Sequence, residues 1–309
     1  ALPKEKWIDA RREDVLEAPY FHVVFTVPQE LNPVIYSNQK LLYDVFYHSV
    51  AATINELTVD SKYLGAKVGY ICILHTWGSE MNFHPHIHVI LLGGGLTEKN
   101  QWKDKGNEFF LPIKVLSKVF RGKYMEELKS LWEQDKLLFH GTSETYRNHY
   151  NFKELLDICY KKDWIPHCKK TFNGANSVIN YLGKYTYRIA ISNHRIIRMA
   201  ENTVTFSVKD YREEGKWKEL TLSGVEFIRR FLMHVPPKRF VRIRHYGILC
   251  KSKYLTLCRN LLGCKQYLSR LRSMETPQIL ETLYGIKISV CTCCGGKLGK
   301  SQLKMPLRI

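Results

Sequence analysis

Histidines at three alternate positions, His84, His86 and His88, run straight into the apolar tract Val89–Leu92 and then Gly93-Gly94-Gly95. In an extended chain successive side chains point to opposite faces, so one face of this segment carries imidazoles while Ile87, Val89 and Leu91 face the other way. The pattern calls for a strand in a sheet with one apolar side and one side where ring nitrogens meet partners, because imidazoles buried unpaired are costly. Two imidazoles two residues apart on a strand make a metal clamp. The plainer alternative is a histidine-rich strand edge facing water.

The neighbouring sequence supplies the rest of such a sheet. Val68–Thr76 predicts a second strand, joined to His86–Leu92 by the polar turn Gly78–Phe83, which gives an antiparallel hairpin at the sheet centre. Symmetric pairing about that turn places His75 opposite His86 and on the same face. Tyr20–Val27 predicts another strand, stopped by Pro28, and Tyr36–Leu57 a helix. Residues 97–170 are mostly helical in pattern, with Leu116, Val119, Phe120, Tyr124, Leu128 and Leu131 at helical spacing and no evident chemistry. Val204–Val208 and Trp217–Leu222 predict a hairpin, and Ser223-Gly224-Val225-Glu226 is a capping box opening a helix to about His234. Phe240–His245 alternates Arg242 and Arg244 against Val241 and Ile243, a strand with one basic face. The expected fold class is α+β, a central antiparallel sheet flanked by helices. The expected division is a catalytic region over 1–203 with a helical insertion at about 97–170, a basic region over 204–274 and a tail over 275–309.

The charge points to a polyanion. Lys and Arg number 47 against 29 Asp and Glu, a formal net charge of +18, and nucleic acid is the first candidate partner. From Phe227 to Met274 there are twelve Lys or Arg and no acidic residue, interleaved with Phe231, Phe240, Tyr246, Tyr254 and Tyr267. That mixture suits phosphate pairing and base stacking. No run of eighteen apolar residues is present and the N-terminal sequence does not resemble a signal peptide, so the expectation is a soluble, cytoplasmic, nucleoid-associated protein with no membrane partner.

Asn176–Arg188 forms a second constellation. Val178, Leu182, Tyr185 and Ile189 make the apolar stripe of a helix, and Tyr181 falls at its edge beside Lys184 and Arg188. A tyrosine between a core-facing stripe and a basic face can reach a phosphate, whereas one inside the stripe is more simply explained by packing.

A His-hydrophobic-His strand, a Tyr-x-x-x-Tyr helix downstream and a very basic chain together resemble the HUH endonucleases. Phe21-His22-Val23-Val24-Phe25-Thr26-Val27-Pro28, Leu74-His75-Thr76-Trp77-Gly78, His84-Pro85-His86-Ile87-His88 with its three glycines, Tyr181 through Asn193, and Arg242 through Gly247 resemble, in order, the rolling-circle insertion-sequence transposases of the IS ninety-one type, relatives of the Helitron transposases. The resemblance spans about residues 4–263. That family usually carries a cysteine-rich zinc-binding module ahead of this region, and the sequence opens at Ala1 without one; Tyr187 stands where relatives are expected to have His.

The resemblance implies a DNA transposase that cuts and rejoins single-stranded DNA at transposon ends and target through a 5′-phosphotyrosine. His86 and His88 would hold Mg²⁺ or Mn²⁺, with His75 or Glu80 as third ligand; strand geometry favours His75, oxygen chemistry Glu80. Tyr181 and Tyr185 would be the paired nucleophiles, with Lys184, Arg188, Arg242 and Arg244 on phosphates. No ATP is expected, since the one near-match to a phosphate loop, ending Gly299-Lys300-Ser301, has Cys294 where the first glycine belongs. Cys291 and Cys294 form half of a zinc ribbon, either a Zn²⁺ site completed by cysteines such as Cys250 or Cys264 or a set of free thiols. The competing functions are a rolling-circle replication initiator or relaxase, and a non-cleaving, domesticated DNA-binding relative.

Overall fold

The computed structural model describes residues 2–106, 111–164, 166–172, 177, 178, 181, 183, 190–210, 213, 215–291 and 293–299. Two compact units emerge, one of Leu16–Lys265 and one of Ala1–Val15 with Gln266–Ile309.

The larger unit is built on an antiparallel sheet. Its strands are β1 (Tyr20–Thr26), β2 (Lys67–Trp77), β3 (Phe83–Leu96), the short β4 (Trp102–Asp104), β5 (His167–Phe172) and β9 (Ile243–Gly247). Their order is β5-β1-β3-β2-β9, with β4 pairing the far end of β3. The expected α+β class and the hairpin at the sheet centre are both present. A second sheet of β6 (Ile196–Ala200), β7 (Thr203–Asp210) and β8 (Lys216–Ser223) lies in the same unit.

Alternation along β1, β2 and β3 gives the main sheet two unlike faces. Val23, Phe25, Cys72, Leu74, Ile87, Val89 and Leu91 enter one continuous apolar core with the helices Gln39–Val59 and Ile113–Glu133. Phe120 of the second helix sits edge-on to Phe25 and stacks on Phe46, with centroids 5.1 and 5.5 Å away. The segment expected to be an insertion therefore includes a helix that covers the sheet. Its amphipathic spacing is what such a role requires. Tyr47, buried in the core, donates to the carbonyl of Arg242 and accepts from the amide of Leu74, so one hydroxyl joins β2 to the approach to β9.

Strand β9 begins at Ile243, shorter than the Phe240–His245 strand expected. It belongs to the main sheet, pairing β2 from Gly69↔Gly247 to Ile73↔Ile243. Gly247 turns at φ 62°, and a Cβ there would come 1.9 Å from the Val68 carbonyl, which leaves room for glycine alone. The helix Gly224–Leu232 starts where the capping box predicts, with Ser223 Oγ accepting from the Glu226 amide.

In the smaller unit, the helices Leu2–Arg11 and Thr276–Tyr284 accompany a polar node at Asp9. Its carboxylate accepts from Tyr267, Ser269 and the amide of Leu271. Burial pushes this carboxyl up, but the bonds from Leu271, Ser269 and Tyr267 prevail and hold it below its ordinary value.

Candidate active site

The register of the central hairpin assembles the site. His75 pairs directly with His86 across β2 and β3, and His88 lies one step further on the same face. Each of His75, His86 and His88 offers a ring nitrogen, and these atoms all lie within 4.8 Å of one another. A spacing of that order is what lets three imidazoles converge on one ion. His75 and His88 are buried and His86 is half-buried, which leaves the cluster open on one side. Among the described residues this is the one group of three or more such side chains able to hold a metal. Glu80 is exposed and outside it.

The rings are oriented by their neighbours. His86 Nδ1 donates to the carbonyl of His84 at 2.8 Å, so in the neutral ring the lone pair sits on Nε2. His75 stacks on Trp77 with centroids 4.6 Å apart. His84 lies beside the triad, its ring 5.2 Å from that of His86, and burial pushes its pKa down, so it stays neutral more readily than a free imidazole.

On the other side of β3, His22 of β1 faces the same way. Its Nε2 is 2.8 Å from His88 Nδ1 and 2.7 Å from the hydroxyl of Tyr181, which itself lies 3.3 Å from His88 Nδ1. Tyr181, with Ser177, Val178 and Gly183, is helical as the spacing predicts. Tyr185, Lys184 and Arg188 lie outside the described residues. His22 is the member of this cluster that the sequence did not single out as a site residue. A single histidine in Tyr20–Val27 carries no local signal; its weight comes from β1 pairing with β3.

The turn between β2 and β3 is gripped from outside. Arg195 donates to the carbonyl of Ser79, Arg230 to that of Glu80 and His234 to that of Met81. His234 Nδ1 lies 3.1 Å from the Thr76 hydroxyl. Burial lowers its pKa, the bond to Met81 opposing this, and the neutral ring spans turn and strand.

The basic block is less naked than its sequence. Arg229 and Arg230 pair with Glu226, holding that carboxyl at about 2, and Arg272 pairs with Glu13. Arg244 pairs with Asp44 and lies over the rings of Tyr47, at 4.0 Å, and Phe240, at 5.2 Å. Arg244 is held by the fold, and Arg242, just ahead of β9, lines a small cavity with Trp77 and His234. In the smaller unit Cys291 and Cys294 share one turn, with the Gly295 amide donating to the Cys291 carbonyl. Bonds from the Cys294 and Cys293 backbone lower the Cys291 pKa. That favours thiolate, but among the described residues no further donors complete a zinc set.

The sequence matches, over residues 69–255, a family described as "Putative transposase". It is 39% identical over 267 residues to "Putative transposase y4qJ" of Sinorhizobium fredii (strain NBRC 101917 / NGR234), covering 85% of this chain and 67% of that protein. The chain belongs to this transposase family. The transposase is also 26% identical over 307 residues to the "Transposase for insertion sequence element IS801" of Pseudomonas savastanoi pv. phaseolicola, across 95% of this chain and 70% of that one. Among solved structures, the conjugative relaxase TrwC in complex with oriT DNA aligns with 36% of the transposase and 44% of its own chain, at 17% identity and a TM-score of 0.28. No described helix of the transposase is long and apolar enough to cross a membrane.

Proposed function

We propose that the transposase cuts and rejoins single-stranded DNA through a 5′-phosphotyrosine on Tyr181, at a metal-assisted site formed by His75, His86 and His88. The observation that carries this reading is the position of the Tyr181 hydroxyl, 2.7 Å from His22 Nε2 and 3.3 Å from the ring nitrogen of His88, on the edge of the histidine cluster. A divalent ion bound there would supply Lewis-acid polarisation of the scissile phosphate. Three imidazoles are a borderline donor set, which suits Mn²⁺ better than the harder Mg²⁺.

The protein's own groups account for the rest. Tyr181 Oη attacks phosphorus as its proton passes to His22 Nε2; an O–P bond forms, the P–O3′ bond breaks, and the 3′ oxygen takes up a proton from solvent in exchange and leaves as a hydroxyl. His22 accepts from the tyrosine hydroxyl and keeps it aimed at the cluster, while its contact with His88 sets the plane of that ring. Because the phosphodiester's energy is stored in the tyrosyl ester, rejoining needs no ATP. Tyr185 would serve a second cleavage, with Lys184 and Arg188 on the transition-state phosphate. Zinc on Cys291 and Cys294 would need donors from beyond this turn.

The test is a denaturing gel of labelled single-stranded oligonucleotides incubated with the protein and Mn²⁺, with the adduct mapped by peptide mass. The expected result is a covalent band on Tyr181 that Tyr181→Phe removes while DNA binding persists. An adduct that survives in Tyr181→Phe moves the primary nucleophile elsewhere. Absence of any adduct with intact DNA binding favours the non-cleaving relative.

A further inference from the structure

A cavity of about 480 Å³ opens beside the histidines. One wall is the triad with Trp77; the other comes from the second sheet and includes Lys209 and Trp217. Ligand sites commonly run from about 300 to 1,000 Å³, so this one has room for about one nucleotide. Trp217 is 64% exposed, although its strand-mates Leu220 and Leu222 pack against an apolar core. Keeping so large an apolar ring in water forgoes burial free energy, and here it does so at the mouth of a polar cavity.

The register explains what the ring stands beside. Trp217 is the direct partner of Lys209 across β7 and β8, so both side chains rise from the same face. The wall that carries them is fixed to the histidine hairpin. The Lys209 amide donates to Ser79 Oγ, and Arg195 spans the carbonyls of Ser79 and Ser207. An aromatic face beside a lysine, held rigidly next to the reactive cluster, matches the chemistry of an unpaired base and its phosphate. A duplex would not present that base face.

Resting on the cleavage reading above, we infer that Trp217 and Lys209 form a nucleotide subsite, in which the indole stacks on one base of the single strand flanking the scissile phosphate and the lysine faces its backbone. The subsite fixes which phosphate reaches Tyr181, because a base seated on Trp217 sets the strand's register along the cavity.

Affinities of oligonucleotides carrying a single abasic site, stepped one position at a time across the cleavage point, test this against the wild-type protein, Trp217→Ala and Trp217→Phe without metal. Trp217→Ala should weaken intact single-stranded DNA by about tenfold and Trp217→Phe by much less. One abasic position should weaken the wild type equally and be indifferent to Trp217→Ala, and 2-aminopurine placed there should be quenched by the wild type alone. If Trp217→Ala weakens every abasic oligonucleotide alike, or none, the subsite is wrong. When that happens while the Tyr181 adduct still forms, the cleavage reading stands; when neither adduct nor single-strand binding is seen, both fall.

Discussion

The two faces of the main sheet come from the same strands and share almost no chemistry. Under the helices, Val23, Phe25, Leu74, Ile87, Val89 and Leu91 belong to one apolar cluster. On the opposite face His22, His75, His86 and His88 meet one another and Tyr181. Alternation lets one stretch of chain specify a dry core and a histidine cluster together, and the rigidity of the first holds the spacing of the second. Substitutions on the two faces should therefore separate stability from chemistry.

The largest separation is expected at the triad. His86→Ala should lower Mn²⁺ affinity and cleavage by at least about a hundredfold with little change in thermal midpoint, since removing a ligand exceeds the usual tenfold to hundredfold cost of outer-shell changes. Calorimetric Mn²⁺ titration beside a melting curve checks it; an unaltered Mn²⁺ isotherm would remove His86 from the ligand set. Phe120→Ala on the dry face should do the converse. It should cost about 3–5 kcal/mol in urea unfolding, with Mn²⁺ affinity retained in the fraction that remains folded. A lost isotherm at full folding would mean that the faces are coupled more tightly than packing alone requires.

A smaller effect belongs to the turn that joins β2 to β3. The folded pKa of His234 is depressed, so its contribution is fully present above the ordinary value of 6.5 and is lost as pH falls below it, where the unfolded chain takes up a proton that the buried ring resists. Melting midpoints from pH 7.5 to 5.5 should fall less steeply in His234→Gln; parallel curves would show that the ring is protonated in place. The smallest expected change is in salt dependence. Arg244→Ala should destabilise the fold yet leave the slope of log DNA affinity against log salt unaltered, because its charge is paired with Asp44. A slope shallower by about 0.7 would return Arg244 to the DNA.

Much of the wet face was legible because it is local. Alternation through 84–92 and a short turn were enough to set His75 against His86. His22 was not, because its partner is 66 positions away and the order of strands decides the meeting. The partner of Arg244 was hidden for the same reason. An acid-free window cannot reveal Asp44, 200 residues upstream. The 113–133 helix showed its apolar stripe in sequence, but periodicity gives a face without naming what it covers.

The turn at 78–82 is gripped at its backbone. Arg195, Arg230 and His234 each hold a carbonyl, of Ser79, Glu80 and Met81 in turn. Carbonyls are common to every amino acid, so these three contacts depend on the shape of the turn and not on its side chains. Ser79 is tied by its hydroxyl to Lys209, and Met81 is buried at φ 56°. Glu80 alone among the three presents an exposed side chain that the fold does not use. A substitution at that position changes the charge beside the turn while the backbone contacts that hold the hairpin stay in place.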